Sequence, residues 1–136
     1  MDNKNKSILI VEDDLNISRA LSIRLKSAGY SVECAYDALS APKMAKHILP
    51  DMLLLDVALP GGDGFQVAQK IDDMKLGKEI KKIYLTASKK PGLWKRVVET
   101  HANGFIEKPF DSADLLDQIE NAFRYNEPLH MINNNK

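Results

Sequence analysis

Short, almost wholly apolar runs return along this chain, and the stretches between them carry apolar residues at helical spacing. "SILIV" (7–11), "MLLLD" (52–56) and "KIYLTA" (82–87) read as strands buried on both faces. "SVECA" (31–35) and "GFIEK" (104–108) mix polar with apolar residues, as edge strands do. Between them, Ile17, Ala20, Leu21, Leu25 and Ala28 form a helical stripe in 15–28, which Gly29 ends. Phe65, Val67, Ala68, Ile71 and Met74 do the same in 64–76, before Gly77. Leu93, Trp94, Val97, Val98 and Ala102 mark 92–102. Leu115, Leu116, Ile119, Ala122 and Phe123 mark 112–124, with Asp111 or Ser112 as N-cap. A further helix lies within 38–49; Pro42 is tolerated only in a first turn, which places the start near Ser40.

Five strands alternating with five helices imply an α/β fold: a parallel sheet covered on both faces. Right-handed crossovers leave few topologies. The flavodoxin-like (βα)₅ order 2-1-3-4-5 puts the mixed strands at the edges and the most apolar ones inside. Such sheets bind ligands beyond the carboxyl ends of their strands, near the switch point between the first and third.

At that rim the sequence places charge. "VEDD" (11–14) follows the first strand directly, and Asp56 ends the third. Thr86 lies near the end of the fourth strand and Lys108 at the end of the fifth. Glu12, Asp13 and Asp56, a hydroxyl and an ammonium would therefore converge. Taken singly, each has a plainer role: helix caps for "EDD", above all Asp14, a loop aspartate, a structural threonine, a solvated lysine. Together they form a site. Packed carboxylates repel unless a cation joins them, and hard oxygen donors suit Mg²⁺ or Mn²⁺. Such an ion, with Lys108 and a hydroxyl, suits a dianionic phosphoryl group, and one carboxylate can be the nucleophile that receives it.

The totals agree with one cytoplasmic domain. The 136 residues suit a single core, and 19 basic side chains balance 19 acidic ones, which gives no support to nucleic-acid or membrane binding. The opening "MDNKNKS" has no apolar signal core, and the single Cys34 fits a reducing compartment. Residues 1–6 and the Asn-rich 126–136 read as a disordered start and a polar tail or linker stub around a domain of 7–125.

The stretches "ILIVEDD", "LLLDVALPGGDGF", "IYLTAS" and "GFIEKPF" together resemble a bacterial two-component response-regulator receiver domain, CheY-like, over about residues 7–124. The resemblance implies roles residue by residue. Asp56 would be the phosphoacceptor. Glu12 and Asp13 would hold Mg²⁺, Asp13 more directly, with the backbone carbonyl of Ala58 as another ligand. Thr86 would be the switch hydroxyl, Lys108 the phosphoryl-pairing lysine, Phe105 the switch aromatic, and Lys108–Pro109 a cis peptide. The partners implied are a sensor histidine kinase or histidine phosphotransfer protein. A downstream protein or fused output domain would read the face of the fourth helix, fifth strand and fifth helix. The domain would be a monomer or a phosphorylation-dependent dimer. The implied activity is that of a phosphoacceptor with self-catalysed phosphotransfer and autodephosphorylation, not of a conventional enzyme.

Some positions depart from the pattern. Ala58 and Ser88 are small where the family tunes hydrolysis, Gly62 stands where a larger apolar residue is common, and His101 precedes Ala102 where glycine is common. Trp94, among Lys89, Lys90, Lys95 and Arg96, is either a core residue or a contact point. No DNA-binding motif is recognisable. Two other readings remain: a pseudo-receiver that only binds partners, and a phosphohydrolase of the haloacid dehalogenase type. The second wants an acid two residues after Asp56, where Ala58 stands.

Overall fold

A computed structural model describes residues 6–87, 91–125 and 128–129. Five parallel strands form one sheet: β1 (Ser7–Val11), β2 (Ser31–Ala35), β3 (Met52–Asp56), β4 (Lys81–Thr86) and β5 (Gly104–Glu107). Their spatial order is β2-β1-β3-β4-β5, as the pattern of apolar runs predicts. Side chains alternate across each strand. Leu9, Val11, Leu53, Leu55 and Tyr84 enter one core with α2 (Ser40–Ile48), α3 (Gly64–Asp73) and α4 (Leu93–Glu99). Ile8, Ile10, Met52, Leu54, Ile83 and Leu85 enter the other with α1 (Leu15–Ser27) and α5 (Ser112–Arg124).

The helices form where caps and punctuation allow. Asp14 caps α1, its side chain accepting from the N–H groups of Asn16 and Ile17. Asp111 caps α5 through Ala113 N–H. Pro42 sits in the first turn of α2, where its missing N–H costs nothing. Asp63 and Gln66 close a capping box on α3.

Several expectations need correction. In α1, Ala20 and Ala28 are exposed and Ser18 is buried, so the inward stripe is narrower and includes a hydroxyl. The third helix stops at Asp73 rather than continuing to 76, because Lys75 turns left-handed (φ 50°). The fourth stops at Glu99, and His101 (φ 60°) turns the chain before Ala102 enters the core. His101 is exposed, and its left-handed backbone is one that glycine adopts more easily. The "PGGDG" loop contains an antiparallel hairpin, Ala58–Leu59 with Gly62–Asp63. The backbone is closely packed at Gly62, where a Cβ would stand 2.6 Å from Gln66 Oε1 and 3.2 Å from Ala38 Cβ. From the expected tail, Leu129 packs against the core and donates its N–H to Ala102 O at 2.7 Å. Ser88, Lys89, Lys90 and most of the two ends lie outside the described residues. Among the described residues no helix is long and apolar enough to cross a membrane.

Candidate phosphoacceptor site

Strand register assembles the site. Val11 pairs with Leu55, so the next residues, Glu12 and Asp56, emerge side by side. Asp56 pairs with Leu85, which puts Thr86 one step further along the neighbouring strand. Thr86 pairs with Glu107, and the next residue, Lys108, donates its N–H to Thr86 O at 2.7 Å. Residues far apart in sequence thus share one rim.

Lys108 bridges the acids. Its Nζ donates to Glu12 Oε1 at 2.6 Å and to Asp56 Oδ2 at 2.9 Å. The other oxygens are also engaged: Glu12 Oε2 accepts Asp14 N–H at 3.0 Å, and Asp56 Oδ1 accepts Ala58 N–H at 3.1 Å. Glu12 is fully buried, and burial raises its pKa against the opposing pull of Lys108. Burial works against the Lys108 ammonium, but its bonds to Glu12 and Asp56 outweigh that and raise its pKa. Asp13 is exposed and completes the group: one oxygen from each of Glu12, Asp13 and Asp56 lies within 4.8 Å of the others. Three carboxylates against one ammonium leave an excess of negative charge on hard donors. That donor set fits a divalent cation such as Mg²⁺.

The remaining candidates flank this centre. Thr86 is buried at the end of β4. The Lys108–Pro109 peptide is cis. Ala58 presents its N–H to Asp56 and leaves its side chain exposed. Phe105 is half-buried on the α4 side of β5, its backbone held by Gln118 of α5.

Some features escaped the sequence. Gly64 packs its Cα against the end of β3, so that an added Cβ would lie 2.4 Å from Asp56 O. The glycines of "PGGDG" hint at tight backbone, but not at which one meets Asp56. Arg96 of α4 lies over the Phe65 ring at 4.3 Å and pairs with Asp63 at 3.6 Å. Trp94 meets Phe105 edge to face, with centroids 6.1 Å apart. It is half-buried, and its Nε1 has no hydrogen-bond partner among the described residues.

Comparison with known proteins settles the family. The profile of the response regulator receiver domain matches residues 8–120. The chain belongs to that family. It is therefore a signalling domain of two-component systems. It is 33% identical over 117 residues to the DNA-binding dual master transcriptional regulator RpaA of Synechocystis, a match covering 86% of this chain and 48% of RpaA. It is 35% identical over 118 residues to the response regulator PleD of Caulobacter vibrioides, covering 87% of this chain and 26% of PleD. The chain thus spans half or less of these relatives. Among solved structures, a CheY-like receiver domain from Methanospirillum hungatei superposes with a TM-score of 0.82 at 28% identity, covering 89% of this chain and 95% of that one. CheY4 of Vibrio cholerae gives 0.79 at 27%, covering 86% and 98%.

Proposed function

We propose that Asp56 accepts a phosphoryl group from the phosphohistidine of a sensor histidine kinase or histidine phosphotransfer protein. One observation carries this reading: a nearly buried aspartate at a strand end, 2.9 Å from an ammonium and clustered with two further carboxylates. An Asp56 oxygen forms the new bond to phosphorus as the phosphorus–nitrogen bond to histidine breaks, and the imidazole leaves with a proton from solvent. Lys108 orients the Asp56 carboxylate and offsets charge on the transferred oxygens. Glu12, Asp13, Asp56 and the Ala58 carbonyl would hold Mg²⁺, or Mn²⁺, which when bound neutralises phosphoryl charge.

The product is an acyl phosphate. Thr86 then turns its hydroxyl toward a phosphoryl oxygen, and Phe105 moves into the space released. That shifts the balance between two packings of α4, β5 and α5, the face that a downstream protein or fused output domain reads. Water later cleaves the acyl phosphate. Ala58 and Ser88 stand at the two positions where the family tunes that hydrolysis, so they bear on the lifetime. The working unit is residues 7–125, with Leu129 packed against its core, acting in the cytoplasm as a monomer or a phosphorylation-dependent dimer.

The test is intact mass after incubation with acetyl phosphate and Mg²⁺. Wild type should gain one phosphoryl group only with the metal present. Asp56→Asn should gain none. An equal gain in Asp56→Asn overturns the proposal.

A further inference from the structure

On the face away from α1 and α5, a cleft of about 310 Å³ runs between α2 and α3. Its floor is apolar: Pro42 is buried, and Met74 and Leu76 are half-buried. Its walls are basic. Lys43 and Lys46 stand three residues apart on α2, and Lys70 faces them from α3. All three are exposed.

Several lysines elsewhere are matched with acids: Lys78 with Asp51, Lys82 with Asp72, Lys108 with Glu12 and Asp56. Lys43, Lys46 and Lys70 form no ion pair within 4.0 Å among the described residues, although the Lys43 charge is felt at Asp37 and helps to lower its pKa. The acids close by are committed. Asp37 takes the N–H and hydroxyl of Ser40, Asp72 takes Lys82, and Asp73 accepts from Gln69. Helix α2 contains no acidic residue at all. The chain is neutral overall, so this basic rim is a local feature.

We propose that the α2–α3 cleft docks an acidic segment of a partner protein, with an apolar side chain seated on Pro42, Met74 and Leu76. Ammonium groups on both walls match carboxylates on either side of such an anchor, and as point charges they need no fixed bidentate geometry. An open cleft does not enclose a small molecule as ligand pockets do. A membrane surface is also the poorer match, because the apolar residues lie at the bottom of the cleft instead of projecting from it. The surface is separate from the α4–β5–α5 face and from the acceptor rim, and the proposal does not depend on phosphorylation of Asp56.

The test titrates the ¹⁵N-labelled full chain with a short synthetic peptide in which glutamates flank a leucine and a phenylalanine. Saturable amide shifts should map to α2 and α3. Affinity should fall about tenfold or more in Lys43→Glu/Lys46→Glu/Lys70→Glu, since three surface charges of modest individual effect act together. The same peptide with glutamine for glutamate should bind at least about tenfold more weakly, and added salt should weaken the acidic peptide. A triple Lys→Met variant should fall between wild type and charge reversal. The proposal is overturned by no saturable shift, by shifts centred on another surface, or by equal binding to the reversed variant. Tighter binding to anionic phosphatidylglycerol vesicles than to the peptide overturns it too.

Discussion

Replacing Lys108 with methionine removes the ammonium that ties two buried carboxylates together. At 2.6 and 2.9 Å, each pair has a gross attraction of about 6 kcal/mol at an effective dielectric near 20. Desolvation offsets most of that attraction, yet breaking a buried pair typically costs about 3–5 kcal/mol because the partner charge is stranded. The Lys108 side chain is 16% exposed, against 1% for Glu12, so water recovers part of the loss. The expected destabilisation of Lys108→Met is about 2–3 kcal/mol, a fall of roughly 1 M in the urea midpoint. Unfolding would be followed by circular dichroism in a chelating buffer, so that no divalent ion replaces the ammonium. Adding Glu12→Gln removes the stranded charge and should recover about 1 kcal/mol or more, a clear failure of additivity. If Lys108→Met lies within about 0.5 kcal/mol of wild type, or the two substitutions simply add, the bridge does not hold the site as described.

Other expectations follow from the same contacts. Burial pushes Asp51 up, but Lys78 at 2.7 Å and Ser7 N–H at 2.8 Å outweigh it and hold its pKa below the usual value. Asp51→Asn should therefore cost about 1–2 kcal/mol near neutral pH. A lowered carboxylate pKa stabilises above the unfolded value, so the gap to wild type should close as pH falls through the folded pKa; a gap unchanged in acid contradicts this. Gly64→Ala places a Cβ 2.4 Å from Asp56 O and should cost about 2–3 kcal/mol by thermal unfolding, the end of β3 having to shift. Trp94 is the sole tryptophan and touches Phe105, so beryllofluoride with Mg²⁺ should change its emission, and Phe105→Ala should remove most of that change. Unaltered wild-type emission argues against movement of Phe105.

The sequence disclosed the architecture because strands buried on both faces must be apolar throughout. Their order then puts Glu12, Asp56, Thr86 and Lys108 on one rim. Helix faces were less legible. Spacing alone favours Ala20 over Ser18, since alanine suits either environment and nothing local marks a serine that is buried with its hydroxyl unpartnered among the described residues. The early end of α4 was hidden because apolar spacing continues through Ala102, while the stop lies in the left-handed turn at His101. Within the site, the acids were evident but their bonding was not. Which oxygen meets Lys108, and which backbone N–H meets Asp56, follows from side-chain placement that no local pattern encodes. The plainer and bolder readings of Trp94 meet in the middle: one side packs on Phe105 while the residue stays half-exposed.

The central claim is that one particular aspartate carries the phosphoryl group. Treating the acetyl-phosphate-loaded protein with borohydride converts an aspartyl phosphate, and not a free aspartate, to homoserine. Peptide mass spectrometry should then find homoserine at position 56 alone. Homoserine at position 13 or 51, or at no position in a chain that had gained phosphate, contradicts the claim.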